Sequence, residues 1–243
     1  MTAIVETRAL AKTYGSGETA VHALAGIDLS IESGQFVAVM GPSGCGKSTL
    51  LNMLGGLDNP TDGEVAIGGE ELSKLSDDAL TELRRHKIGF IFQAFNLIPM
   101  LTATENASLP LRLDGDGTAN DKANHWLEAV GLGDRLGNRP DQLSGGQQQR
   151  VAVARALTTD PALILADEPT GNLDSKAATE IVGLLQQVAV KWGRTVLMVT
   201  HDARVASYAH RLLLMRDGAI VGDRQLDGTR EAPYRALEEL DLL

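Results

Sequence analysis

One cysteine, Cys45, occurs in 243 residues, so no intramolecular disulfide can form and no CxxC zinc site exists. Basic residues are also scarce. Lys+Arg total 22 against 32 Asp+Glu, a formal net charge of −10. That balance argues against a broad nucleic-acid or anionic-lipid surface and leaves room only for a local basic patch. No apolar run approaches the ~18 residues a membrane span requires. The first eight residues, Met1 to Arg8, carry no basic stretch followed by an apolar one, so a signal peptide is not expected. The chain also lacks an internal repeat, a heptad run and a low-complexity tract. These absences predict a cytoplasmic protein whose membrane contact, if any, is borrowed from a partner. Hydrophobic content of 43% and charged content of 22% fit a chain that buries a substantial core.

The strongest signal is Gly41-Pro42-Ser43-Gly44-Cys45-Gly46-Lys47-Ser48-Thr49. From Gly41 to Ser48 it satisfies the phosphate-loop pattern G-x-x-x-x-G-K-[ST]. Gln35 to Met40 before it is a short strand-type apolar run, and Ser48 to Leu54 after it reads as a buried helix. Strand, glycine loop and helix are the context the motif needs. The loop can turn N–H groups onto an anion, and the helix N-terminus adds its partial positive charge. Lys47 is expected at the β- and γ-phosphates, and the Ser48 hydroxyl at Mg²⁺. Cys45 reads as a small filler in this loop.

Short β-type segments at 2–8, 25–32 and 63–69 predict an antiparallel sheet over the nucleotide core. Tyr14, between the first two, either stacks on a base or fills a turn. Ser76-Asp77-Asp78 predicts a capped helix through Leu83. Residues 88–92 read as a strand ending at Gln93. From 94 to 157 the pattern is helical and loop-rich, with Pro99, Pro110 and Gly115 to Gly117 as breaks. Residues 163–166 and 195–200 read as strands, with a helix over 176–191 between them. Residues 211–215 and 219–221 pair around Arg216-Asp217-Gly218.

Leu143-Ser144-Gly145-Gly146-Gln147 is the second strong motif. Ser144 and Gln147 form a capping box, which predicts a helix start. The two glycines cost about 1 kcal/mol each against Ala in a first turn, and close approach of backbone to an anion explains them. Leu163 to Ala166 then leads into Asp167-Glu168. If the backbone stays extended, the two carboxylates point to opposite sides. Asp167 can hold Mg²⁺ while Glu168 polarises a water as general base.

Glycine loop, Leu143-to-Gln147 signature, Asp167-Glu168 and a His201 after a strand together resemble the nucleotide-binding subunit of ATP-binding-cassette (ABC) transporters, over roughly residues 4–222. The resemblance implies an α/β fold: a phosphate-loop NTPase core with a mainly parallel sheet, an N-terminal antiparallel β subdomain and an inserted helical subdomain. Residues 1–93 and 158–222 would form the core with its β subdomain, 94–157 the helical subdomain carrying the signature, and 223–243 a tail. It implies that Tyr14 stacks on adenine. Gln93 would touch Mg²⁺ and the water, and His201 the γ-phosphate. Asn172-Leu173-Asp174 would form a loop crossing to a second subunit. ATP would be shared, with Ser144, Gly145, Gly146 and Gln147 acting in trans in a homodimer around two ATP. The partners implied are a second copy and an integral-membrane permease, with the subunit peripheral on the inner face of the membrane.

Within the family, residues 14–24, Gly55 to Asp58, Pro60 to Gly63 and 88–111 resemble the macrolide-export and lipoprotein-release group. Ala107 departs from the usual Val. Substrates of that group include antibiotics, peptides and lipoproteins. Phe95, Leu97, Ile98, Met100 and Leu101 either form a groove for a permease helix or fill the helical subdomain's core. The alternatives are an importer subunit for amino acids or small solutes, and a soluble ABC ATPase acting on nucleic acid or a protein scaffold. The chain lacks the coiled-coil or zinc insertions and the second cassette of such soluble members.

Overall fold

Residues 36–40 are all buried, yet they divide between two cores. Phe36, Ala38 and Met40 face one apolar cluster, and Val37 and Val39 face the other. A strand without a solvent face belongs inside a sheet covered on both sides. The computed structural model describes residues 3–226. The first half contains β1 (Ala3–Tyr14), β2 (Val21–Glu32), β3 (Phe36–Met40), α1 (Lys47–Leu54), β4 (Asp62–Ile67), β5 (Glu70–Glu71), α2 (Asp77–Lys87) and β6 (Ile88–Phe92). The second contains α3 (Ala103–Leu113), α4 (Ala119–Ala129), α5 (Gly145–Thr158), β7 (Leu163–Asp167), α6 (Ser175–Val190), β8 (Thr195–Val199), α7 (Ala203–Ala206), β9 (Arg211–Arg216) and β10 (Ala219–Gln225).

Two sheets result. One is antiparallel, in the order β2-β1-β4-β5; the other runs β10-β9-β3-β8-β7-β6 and is parallel from β9 to β6. Every strand of the parallel part splits its residues as β3 does. Ile164 and Ala166 of β7, and Val196 and Met198 of β8, join one core; Leu163, Leu165, Leu197 and Val199 join the other. The second core is closed by α1 and by the antiparallel sheet through Val5, Leu10, Ile27, Ile31, Val65 and Ile67. The first is closed by α3 to α7. The phosphate-loop helix is therefore enclosed between two sheets, which fixes its direction.

Three of the sequence-based boundaries need correction. Helix α2 runs to Lys87, past Leu83, and its basic last turn suits the negative end of the helix dipole. Pro110 does not break the chain; it lies within α3, which ends only at Leu113. A proline removes one intrahelical bond, and α3 is held instead by its capping box (Thr102, Glu105) and by buried Asn106, Ala107 and Leu111. Strand β10 continues to Gln225, across the boundary expected at 222, because it pairs with β9 as far as Arg211. Asp217 and Gly218 both have positive φ, 48° and 78°, the two-residue turn that suits such a hairpin. The tail expected over 223–243 lies, after Leu226, outside the described residues.

The segment between β6 and α3 is held by side chains of the helical layer. Arg155 on α5 donates to the carbonyls of Phe95 (2.8 Å) and Asn96 (2.5 Å). Burial pulls this guanidinium below its ordinary pKa. Phe95 and Asn96 have φ of 59° and 50°, an uncommon conformation for residues with a Cβ. Asn106, fully buried, donates to the carbonyls of Ile98, Leu101 and Thr102 and accepts from the Ile98 N–H. Replacing Asn106 by Ala strands those groups and should cost roughly 2–4 kcal/mol. A denaturant midpoint unchanged from the parent would contradict this, as would unaltered amide exchange over residues 97–102.

Candidate functional site

The phosphate loop is wedged between two other pieces of backbone. A Cβ on Gly41 would stand 2.1 Å from the Met215 carbonyl oxygen and 2.8 Å from Cys45 Sγ. One on Gly46, which has φ of 104° at the N-cap of α1, would stand 2.3 Å from the Ala23 oxygen. Neither position admits a side chain. The tip of the β9–β10 hairpin completes the wedge. Gly218 donates its N–H to the Cys45 carbonyl (3.1 Å) and accepts from the Ala25 N–H (2.9 Å). Nothing in the sequence around 218 suggested that contact. Cys45 is buried beneath the loop, as a filler would be. Pro42, Ser43 and Gly44 are exposed at its outer rim, with Thr49 partly covered in the first turn of α1. Lys47 is 9% exposed and donates to the carbonyls of Gly41 and Pro42, both at 2.8 Å, bracing the loop from inside.

Ser48 Oγ lies 3.2 Å from Asp167 Oδ1. These are hard oxygen donors of the kind Mg²⁺ takes, one a hydroxyl and one a carboxylate, so the residues fit the ion. Burial pushes the Asp167 carboxyl up; the Ser48 hydrogen bond and Lys47 act in the opposite direction. Next to it, Glu168 accepts from His201 Nδ1–H at 3.0 Å through either carboxylate oxygen. The two acids do point apart, but not by strand pleating. Strand β7 ends at Asp167, and Glu168 has φ of 45°. A left-handed residue turns its side chain toward His201, at the end of β8, and a hydrogen bond from the Glu168 N–H to Val199 O (3.1 Å) holds the turn.

Gln93 has protein partners of its own. Its Nε2 donates to Asn172 Oδ1 (3.2 Å), Asn172 Nδ2 donates to the Gln93 carbonyl (3.0 Å), and the side chain lies over Gly171. The structure thus joins Gln93 to the loop after Glu168. Gln149, fully buried on α5, ties the same parts together by donating to Pro169 O (2.8 Å) and Phe92 O (3.4 Å). Only its place in a Gln147-Gln148-Gln149 run marked it in the sequence.

The capping box at Ser144 and Gln147 is present, and α5 starts at Gly145. One of the two glycines also has a packing cause. A Cβ on Gly146 would stand 3.2 Å from the Ala177 Cβ, and one on Gly145 3.4 Å from Leu173 Cδ2. The contact at Gly145 would be an ordinary one, whereas the missing Cβ of Gly146 lets α5 begin against the start of α6. Asp174 has a role not foreseen: its Oδ1 accepts from the N–H groups of Lys176 (3.0 Å) and Ala177 (2.9 Å), capping α6. Ser144, Gly146, Gln147 and Asp174 line one open cleft of about 400 Å³. Tyr14, at the end of β1, is 40% exposed.

A parallel sheet with a glycine loop leading from its central strand into a buried helix, and acids at the neighbouring strand ends, defines a phosphate-loop nucleotide-binding protein. Residues 24–171 match the family model described as ABC transporter, and the chain belongs to that family. It is 48% identical over 97% of its length to a macrolide export ATP-binding/permease protein of Bdellovibrio bacteriovorus, of which it spans 36%. It is also 48% identical over 93% of its length to an ABC transporter ATP-binding protein of Methanocaldococcus jannaschii, of which it spans 98%. The dimeric structure of that archaeal cassette in a post-hydrolysis state, bound to ADP and Pi, is similar to this chain with a TM-score of 0.83 and 47% identity, covering 93% of this chain and all of the other. The chain thus spans about a third of the length of the export relative and nearly all of the archaeal one.

Because the Asp167 carboxyl is raised, protons compete with a cation for it at higher pH than at an ordinary Asp. The Mg²⁺-dependent part of nucleotide binding should therefore weaken as pH falls, and sooner than a normal aspartate would dictate. Calorimetric titrations of ATP with Mg²⁺ and with EDTA between pH 8 and 5 measure that part; a difference independent of pH down to the usual carboxylate range would refute it.

Proposed function

We propose that the chain binds and hydrolyses ATP as the energy-coupling part of an ABC transporter. Two copies would enclose two ATP and drive an integral-membrane permease of the export or mechanotransmission kind, moving lipoprotein, peptide or antibiotic. It would lie on the inner face of the cell membrane through that permease. The observation that carries the reading is the pair of carboxylates beside the phosphate loop, one 3.2 Å from Ser48 and the other 3.0 Å from His201. The export proteins among its relatives support the transport assignment.

Each residue has a part. Gly41 to Thr49 cradles the phosphates with main-chain N–H groups at a helix N-terminus. Lys47 leaves its two carbonyl partners for the β- and γ-phosphate oxygens and offsets the charge that develops there. Mg²⁺, held by Ser48 and Asp167, supplies Lewis-acid neutralisation of phosphate charge. Glu168 takes a proton from the attacking water. His201 keeps the Glu168 carboxylate aimed and faces the γ-phosphate. Gln93, bridged to Asn172, relays the state of the permease-facing loop. Tyr14 stacks on the base. Ser144, Gly145, Gly146 and Gln147 meet the γ-phosphate of the partner's ATP, so hydrolysis requires the dimer.

The permease would dock on Phe95, Leu97, Ile98, Met100 and Leu101. None of the five is buried, and Ile98 and Met100 are 41% and 71% exposed. That is the pattern of a docking patch, and it disfavours the alternative of an internal core.

Glu168→Gln should lower turnover by roughly a hundredfold or more and trap a dimer in ATP and Mg²⁺, seen by size-exclusion chromatography with light scattering. A mutant that remains monomeric at saturating ATP would sink the clamp reading. Met100→Glu with Ile98→Glu should leave the isolated subunit's ATPase rate unchanged and abolish recovery of a permease from solubilised membranes. Undiminished recovery would move the docking site elsewhere.

A further inference from the structure

The outer rim of the site contains a second cluster, at the end of β1. Tyr14 donates its hydroxyl to Asp58 Oδ2 at 3.0 Å. Lys12 Nζ donates to Asp58 Oδ1 and to the Asn59 carbonyl, both at 2.7 Å. The same ammonium lies 4.9 Å from the centroid of the Tyr14 ring. The Asn59 N–H closes onto Asp58 Oδ1 at 2.7 Å. The Lys12 side chain, on a strand paired on both sides, is only 12% exposed. Its charge is matched by one carboxylate and one carbonyl, and little of it is left to water. Lys12, ahead of other contacts, holds the Asp58 carboxyl below its usual range, so Asp58 is an anionic acceptor at neutral pH.

Asp58 follows α1 by four residues and is joined through it to the phosphate loop. Asp58 thus connects the helix that carries the phosphate site to the ring at the far end of the nucleotide. We propose that Asp58, itself held by Lys12, is a positioning residue for the Tyr14 ring, fixing its tilt and its distance from the phosphate loop. This rests on Tyr14 receiving the base. An exposed tyrosine on a strand end otherwise loses rotamer freedom when a base stacks on it, and tethering the hydroxyl removes that loss before the ligand arrives. Lys12 occupies one side of the ring, so the base stacks on the other. The phenol hydroxyl is engaged by Asp58 and also by Thr49, so Tyr14 offers the base its ring face.

The test compares ATP with inorganic tripolyphosphate, which has the phosphates and no base. Affinities for each, with Mg²⁺, are measured by calorimetry on the intact chain, and kcat and KM by phosphate release. Asp58→Ala should weaken ATP by about threefold to tenfold, the worth of one aromatic contact. It should leave tripolyphosphate affinity and kcat at saturating ATP unchanged. Tyr14→Phe keeps the ring and removes the tether, and should match it; the double variant should be no weaker than either single. Equal loss for ATP and tripolyphosphate would show a general defect in the phosphate loop and overturn the proposal. So would additive effects of the two substitutions, or an Asp58→Ala variant with parental ATP affinity. A parent protein that binds ATP no more tightly than tripolyphosphate would overturn the base-stacking reading, and this inference with it.

Discussion

Backbone meets backbone at the phosphate loop, and the rest of the chain is arranged around that closeness. Gly41 abuts the carbonyl of Met215 and Gly46 that of Ala23, with no room for a Cβ at either. Those carbonyls belong to opposite layers, β9 of the parallel sheet and β2 of the antiparallel one. The loop is held from both sides before any ligand arrives, and Lys47 braces it internally. Such preorganisation lets dipoles act on phosphate charge without a reorganisation cost. It also explains why an antiparallel sheet accompanies the core. The sheet roofs α1 with apolar side chains and forms one wall of the loop.

A second set of contacts works through polar side chains. Gln149 and Arg155 on α5, and Asn106 on α3, all hydrogen-bond to backbone between Phe92 and Thr102. That stretch carries the partly and fully exposed apolar residues proposed above for permease docking. It is consequently fastened to the helix whose first turn bears the signature, more than to the central sheet. Gly146 of that turn lets α5 start against Ala177, next to the Asp174 cap. Gln93 and Asn172 close the circuit at the strand ends. Residues 92–96 are thus tied to α5 and residues 98–102 to α3.

Much of this was legible from residue order. The glycine loop, the Ser144–Gln147 capping box, the strands before Lys47 and Asp167, and the division into sheet and helical regions all follow from local pattern. Glycine spacing, side-chain periodicity and capping act within a few residues, and a linear reading captures them. Pro110 misled because its break signal is local, whereas the burial of Asn106, Ala107 and Leu111 that keeps α3 intact is not. Glu168 misled in another way. Alternation along an extended segment gave the correct outcome, opposed carboxylates, for a reason the left-handed φ replaces.

Sequence by itself determined which chemistry the chain carries: a phosphate loop, a hydroxyl and carboxylate for a hard cation, a second acid, and a capped glycine-rich helix start. Tertiary structure alone decided which partners those groups have. Asp58 reaches Tyr14 across 44 positions, Gln93 reaches Asn172 across 79, and Gly218 touches Cys45 and Ala25. No periodicity encodes such pairs. They arise where sheets and helices, placed by burial of their apolar faces, bring distant backbone within hydrogen-bonding range.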